Sequence, residues 1–364
     1  MGDGTHALLT NTAGDKIGRW QLMRQIFLDT NVWSHMVRAA SRPDRRQFVD
    51  GLHALGLALG WSVELVREVG RTTDIGRRRE TAAAIVELSG EHGLIEPNHV
   101  RFGSELCAAL GRDHPDWIEE RLTNEEKRYA NAYRAYLWGL VRGNQGEPAT
   151  ADELAALAGD AEIHRRLSVG DFVARPTKTL VGLTPEKILD YVRNAPRQTH
   201  VNVPVSARER RSAIAISSND FEMRVKLQLL NDLIIEAFDN RVDENDGRRF
   251  VTERLSAACD AEAFTRWVWL ELRREDVPSY RIAMAASLGQ ALRRHQGSNL
   301  YDRDHAELLT RVRLLVTADG ALGAVLNHPK LRTWIPSHHL YVRPREVRCL
   351  DTLLRRIEDA VTAT

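Results

Sequence analysis

Ile26-Phe27-Leu28-Asp29-Thr30-Asn31 is the stretch on which the fold turns. Three apolar residues followed at once by three polar ones are how a buried parallel strand reads when it delivers side chains at its carboxyl end. Residues 32–40 then carry helical spacing. Outward from there, residues 45–59 predict a second helix, Gly60-Trp61-Ser62-Val63 a short strand, and the segment holding Leu65, Glu68 and Val69 a third helix. Strand, helix, helix, strand, helix is the alternation of an α/β layer arrangement.

The same pattern returns near the other end. Residues 278–294 are helical in spacing, and residues 300–309 predict a helix that opens on acidic side chains. Arg313-Leu314-Leu315-Val316-Thr317 is an apolar strand that ends at Ala318-Asp319-Gly320. A further short strand is expected at 331–335 and a closing amphipathic helix at 346–360. Between the two ends the pattern changes to charged helices, at 124–141, 151–157 and 221–238, with strand candidates at 169–182 and 199–206. The expected organisation is an irregular arm over 1–24, one α/β domain made of 25–80 and 275–364, and a large, mostly α-helical insertion over 81–274.

Composition bounds the chemistry. The 364 residues hold 51 basic and 50 acidic side chains, a net charge of +1, so any nucleic-acid contact must be a local basic patch rather than a gross positive excess. Cys107, Cys259 and Cys349 are far apart and odd in number, which argues against a disulfide framework or a structural zinc site and for a reducing cytoplasm. No stretch approaches the roughly 18 uninterrupted apolar residues of a membrane span, so no membrane partner is expected. There is no Gly-rich phosphate loop followed by Lys-Ser/Thr and no Gly-x-Ser-x-Gly elbow.

Two strands that each finish with an aspartate would bring Asp29 and Asp319 together, since ligands of open parallel sheets bind outside the strands' carboxyl ends. A carboxylate pair in such a crevice calls for a hard divalent cation with oxygen ligands. Glu68 can point into the same crevice, and Asp302 and Asp304 open a helix there. The bland reading of Asp29 is a helix N-cap, and that of Asp302 and Asp304 is first-turn acids complementing a helix dipole.

These residues carry a resemblance to the PIN domain family of nucleases. Ile26-Phe27-Leu28-Asp29-Thr30-Asn31 resembles the family's first strand with its Asp-x-Asn, and Ser62-Val63-Glu64-Leu65-Val66-Arg67-Glu68-Val69 the segment with its glutamate. Asp302-Arg303-Asp304-His305-Ala306 and Leu314-Leu315-Val316-Thr317-Ala318-Asp319 are similar to its third acidic position and its Thr-x-Asp strand. The resemblance implies a PIN-like three-layer fold with a short parallel sheet. It also implies a metal-dependent endonuclease, of endoribonuclease type, with Asp29, Glu68, Asp302 and Asp319 as Mg²⁺ or Mn²⁺ ligands. Glu64 and Asp304 stay open as alternatives for the second and third positions; Asp302 is preferred because it precedes His305 by three. Thr30, Asn31 and Thr317 would hold the ligands in place, and His305 would orient a neighbour.

RNA is the expected substrate, ahead of DNA or branched structures cut by a defence nuclease. Arg293 and Arg294, with basic runs at 165–166, 208–211 and 273–274, are candidates for a backbone clamp. The insertion would restrict access or bind a regulatory protein. The alternative from another class is a catalytically silent scaffold. A haloacid-dehalogenase-like reading of Val316-Thr317-Ala318-Asp319-Gly320 is set aside, because Thr317 stands where that class needs its nucleophilic aspartate.

Overall fold

A computed structural model describes residues 24–70, 72, 74–90, 93–95, 98–119, 139, 182–194, 216–238, 255–291 and 302–363. The expected arm, the helices at 124–141 and 151–157, the strand candidates at 169–182 and 199–206, the runs at 165–166 and 208–211, and Arg293 and Arg294 lie outside those residues, single positions such as Gly139 and Gly182 apart.

The chain is mixed α/β. Its four strands are β1 (Arg24–Leu28), β2 (Leu57–Gly60), β3 (Leu314–Thr317) and β4 (His339–Tyr341), all parallel in the order β2-β1-β3-β4. Every residue of β2 and β3 is buried, as are Ile26, Phe27 and Leu28 of β1, which is why these strands are continuous apolar runs instead of alternating ones. Leaving β1, the chain crosses to β2 on one side, while β3 lies on the other side. The β1/β3 boundary is therefore the switch point where an open parallel sheet forms a crevice.

Helix α1 (Thr30–Ala39) follows β1 directly with Asp29 as N-cap. Helix α2 (Arg42–Ala54) starts at a capping box between Ser41 and Asp44 and ends before Gly56, whose φ of 70° sets the left-handed turn that stops it. That turn moves β2 to Leu57–Gly60, three residues ahead of the expected strand at 60–63. Trp61 continues it only as a bridge to Leu94, and Ser62 caps α3 (Val63–Gly70) by accepting from the Leu65 amide at 3.2 Å. Helix α4 (Ile75–Ser89) spans the expected boundary at residue 80 and packs against α1 and β2.

The middle of the chain is helical where it is described: α5 (Asn98–Asp113), α6 (Pro185–Asn194), α7 (Ser218–Ala237) and α8 (Ala261–Leu270). It joins the α/β part through α9 (Pro278–Ala291), which packs on α5 and on α10 (Asp302–Glu307). Glu105 of α5 accepts from Ser279 at both the amide (3.0 Å) and the hydroxyl (2.6 Å), and Arg112 pairs with Asp276 at 2.5 Å. Trp267 is buried with its indole N–H on Asp113 at 3.1 Å, a packing role. Arg273 and Arg274 each lie 4.0 Å from a carboxylate, Asp113 and Glu222.

Beyond β3, α11 (Gly320–Leu326) leads to a correction. Residues 331–335 are not a strand: a 3-10 turn at Pro329–Leu331 buries Leu331, Trp334 and Ile335 at helical spacing, and Trp334 stacks on Phe221 with ring centroids 4.0 Å apart. The fourth strand comes after Pro336. The end of the chain folds as α12 (Pro344–Val347) and α13 (Leu350–Thr362), the latter lying on α2. No described helix is long and apolar enough to cross a membrane.

Candidate active site

Three consecutive residues at the end of β1 each take hold of a different element. Asp29 uses Oδ1 to accept from the Val32 amide at 2.8 Å, and its Oδ2 accepts from the Thr317 hydroxyl at the end of β3. Thr30 donates its hydroxyl to Oε2 of Glu68 on α3. Asn31 donates from Nδ2 to Oδ2 of Asp319 at 3.2 Å. The turn that leaves the first strand thus gathers the ends of β3, α3 and α11 around itself.

Thr317 links the two aspartates. Its hydroxyl gives its proton to Asp29 and accepts from the Asp319 amide at 2.9 Å, while Asp319 Oδ1 accepts from the Ala321 and Leu322 amides at 2.5 and 3.3 Å. Both aspartates are N-caps, as the bland reading of Asp29 expects. Capping alone does not account for their setting. Asp29 is 2% exposed, and burial lifts its carboxyl to about 6. The hydrogen bonds from Thr317, Val32 and Ala318 pull it back, while the charge of Asp319 pushes it further up. Among the described residues neither aspartate forms an ion pair with an Arg, Lys or His side chain. All their recorded donors are neutral.

Of the two candidate glutamates, Glu68 is the one that meets this turn. Its Oε2 also lies 3.6 Å from Nε2 of His305 on α10, and His305 in turn packs its ring against Phe27 of β1, centroids 5.2 Å apart. Asp302 is three residues before His305 and so shares its side of the helix; the two are 4% and 3% exposed.

Glu64, one turn before Glu68, belongs to a different group. It sits in the field of Glu307 with Asp304, Arg303 and Arg311. Arg303 and Glu307 are one turn apart on α10, Nε to Oε1 3.6 Å. Burial raises the Glu307 carboxyl to about 8; Arg303 and Arg311 oppose the rise, and Asp304 and Glu64 add to it. Sequence reasoning missed Glu307, Arg303 and Arg311, and the one signal for them was the i,i+4 spacing of Arg303 and Glu307.

The structure therefore joins Asp29 to Asp319, ties Glu68 to the same turn, and brings His305 to Glu68. It does not gather all four expected acids at one point: among the described residues no three His, Cys, Asp or Glu side chains group closely enough to hold a metal ion. As a donor set, carboxylate oxygens held by neutral hydrogen bonds suit a hard cation such as Mg²⁺ or Mn²⁺, and each carboxylate keeps acceptor capacity beyond the protein bonds it makes. Asp29 and Asp319 are the residues that fit this chemistry best. No protein-family model matches the chain, and neither a curated protein nor a solved structure does.

Proposed function

We propose that this chain is a PIN-like, divalent-metal-dependent nuclease that hydrolyses phosphodiester bonds, with RNA as its preferred substrate. The observation that carries the reading is the Asp29–Asp319 pair: two carboxylates at the β1/β3 switch point, tied together by Thr317 and Asn31, with no cationic side chain paired to them among the described residues. Two such acids side by side disfavour each other's ionisation, and a cation would relieve that cost.

In this reading Asp29, Asp319 and Glu68 would hold Mg²⁺ or Mn²⁺, with Asp302 the further acid on the His305 face of α10. The bound cation supplies an activated water for attack at phosphorus and charge to stabilise the leaving oxygen. The chain's own residues do the aligning. Thr317 keeps a fixed hydrogen bond on Asp29, Asn31 turns Asp319 toward the first strand, Thr30 fixes one oxygen of Glu68, and His305 stands behind that same oxygen. Outer partners of this kind set ligand orientation and basicity.

A second reading, a catalytically silent PIN-like scaffold, draws on the absence of a three-ligand group among the described residues. One assay separates the two. Labelled RNA and DNA are incubated with Mn²⁺ or Mg²⁺ and either wild type, Asp29→Asn or Asp319→Asn. The nuclease reading expects RNA cleavage that both variants lose by more than about 100-fold, beyond the usual cost of an outer-sphere change. No cleavage of either polymer, or variants as active as wild type, contradicts it.

A further inference from the structure

Between Gly320 and Leu350 the chain holds five Lys or Arg side chains against one acid, Glu346, so a chain near overall charge balance carries a local basic segment directly after Asp319. Arg343 and Arg345 in this segment are exposed, and among the described residues neither forms an ion pair. Arg273 and Arg274, by contrast, each face a carboxylate at 4.0 Å.

The strand that leads to Arg343 ends beside the aspartates. β4 is an edge of the sheet, and its pairing with β3 sets Tyr341 opposite Thr317, the residue that links Asp29 to Asp319. The Val342 amide donates to the Thr317 carbonyl at 2.9 Å, so β4 is held to its carboxyl end, and Arg343 follows at once. Helix α11 has glycine where the Tyr341 ring passes. A Cβ on Gly323 would stand 2.7 Å from Cδ2 of that ring, closer than carbon atoms pack. The phenol oxygen reaches the start of the helix, 3.8 Å from where a Cβ of Gly320 would be, and Gly320 adjoins Asp319. The ring is thus seated against the helix that Asp319 caps, yet 38% of Tyr341 is open to solvent.

We infer that Tyr341, Arg343 and Arg345 receive a single strand of nucleic acid beside the aspartate pair: a nucleobase stacks on the Tyr341 ring, and the sugar–phosphate backbone runs over the two guanidinium groups. This names the form of substrate for the site read above as a nuclease and rests on that reading. An unpaired base has a free π face to offer an aromatic ring, whereas the bases of a duplex are already stacked on one another. The two arginines add phosphate contacts that do not depend on sequence.

Fluorescence anisotropy without divalent metal tests this apart from any cleavage, using the full chain, a short labelled single-stranded RNA and the same sequence as a duplex. Wild type should favour the single strand. Tyr341→Leu, which keeps an apolar side chain on Gly323, should lose about tenfold in single-strand affinity with little change for the duplex, while Tyr341→Phe stays close to wild type. Arg343→Gln should lower the slope of log affinity against log salt by about 0.7, the share of one phosphate contact on a single strand. A wild type that does not bind the single strand, a Tyr341→Leu variant that binds as wild type does, a Tyr341→Phe variant as weak as Tyr341→Leu, or an unchanged salt slope in Arg343→Gln overturns the inference. RNA cleavage in Mn²⁺ is scored separately. A wild type that binds as expected and cuts no RNA sinks the nuclease reading alone, and one that cuts RNA while its variants bind unchanged sinks this inference alone.

Discussion

Two groups of acids, one at the ends of β1 and β3 and one on α3 and α10, are balanced in different ways. Around Asp29 and Asp319 every recorded donor is neutral: two hydroxyl or amide side chains and four backbone N–H groups. Around Glu64, Asp304 and Glu307 stand two guanidinium groups, Arg303 and Arg311. The second group supplies its own counter-charge and reads as structure. The first holds its carboxylates in place without cancelling them, which supports the proposed cation site.

That contrast predicts opposite signs for stability. Arg303→Met removes the cation of the structural group, so at about pH 9, where the Glu307 carboxyl is ionised, denaturant unfolding should show a loss of about 3 kcal/mol or more, typical of breaking a buried ion pair from one side. A change below about 1 kcal/mol would mean that the guanidinium is not what balances these acids.

Asp29→Asn should do the reverse in metal-free protein. The folded state raises the Asp29 carboxyl from 3.8 to about 6, so the fold prefers it protonated. Its ionisation therefore costs stability progressively as pH rises from about 4 to about 6, and the cost is complete above that. Asparagine keeps the cap and drops the charge. The variant should match wild type near pH 4 and exceed it at pH 8 by up to about 3 kcal/mol, the full linkage value of such a shift. Glu307, lifted to about 8, titrates in both proteins and cancels in the difference. A variant less stable than wild type at pH 8 would break the comparison.

The sequence carries the features of this fold and site unevenly. The strands β1 and β3 announced themselves because each carries an apolar run that soon ends at Asp; their register, Ile26 opposite Leu314, could not be read, because side chains buried on both faces give no alternation to fix it. The strand β2 was misread because Leu57, Ala58 and Leu59 continue the helix-like apolar spacing of α2, and only the left-handed Gly56 separates them. The edge strand β4 carries half-buried and exposed side chains, His339, Leu340 and Tyr341, so burial left no pattern to read.

At the site, the roles of Thr30, Asn31 and Thr317 as supports could be anticipated from the polar types at strand ends; their partners could not. Glu64 and Glu68 are one turn apart and interchangeable on a helical wheel, and it is the Thr30 hydroxyl, from another element, that distinguishes them. The Arg303 group escaped notice because its members come from α3 and from α10 and the segment just after it, far apart in the chain.

On the proposed reading, the Asp29–Asp319 pair is held ready for a divalent cation. Calorimetric titration of Mn²⁺ into the metal-free full chain at pH 7.5 tests it without reference to any substrate. A bound cation is expected in wild type, with a loss of affinity of more than about 100-fold in both Asp29→Asn and Asp319→Asn and Glu64→Gln close to wild type. Equal Mn²⁺ affinity in wild type and both aspartate variants, or no binding in any of them, would contradict it.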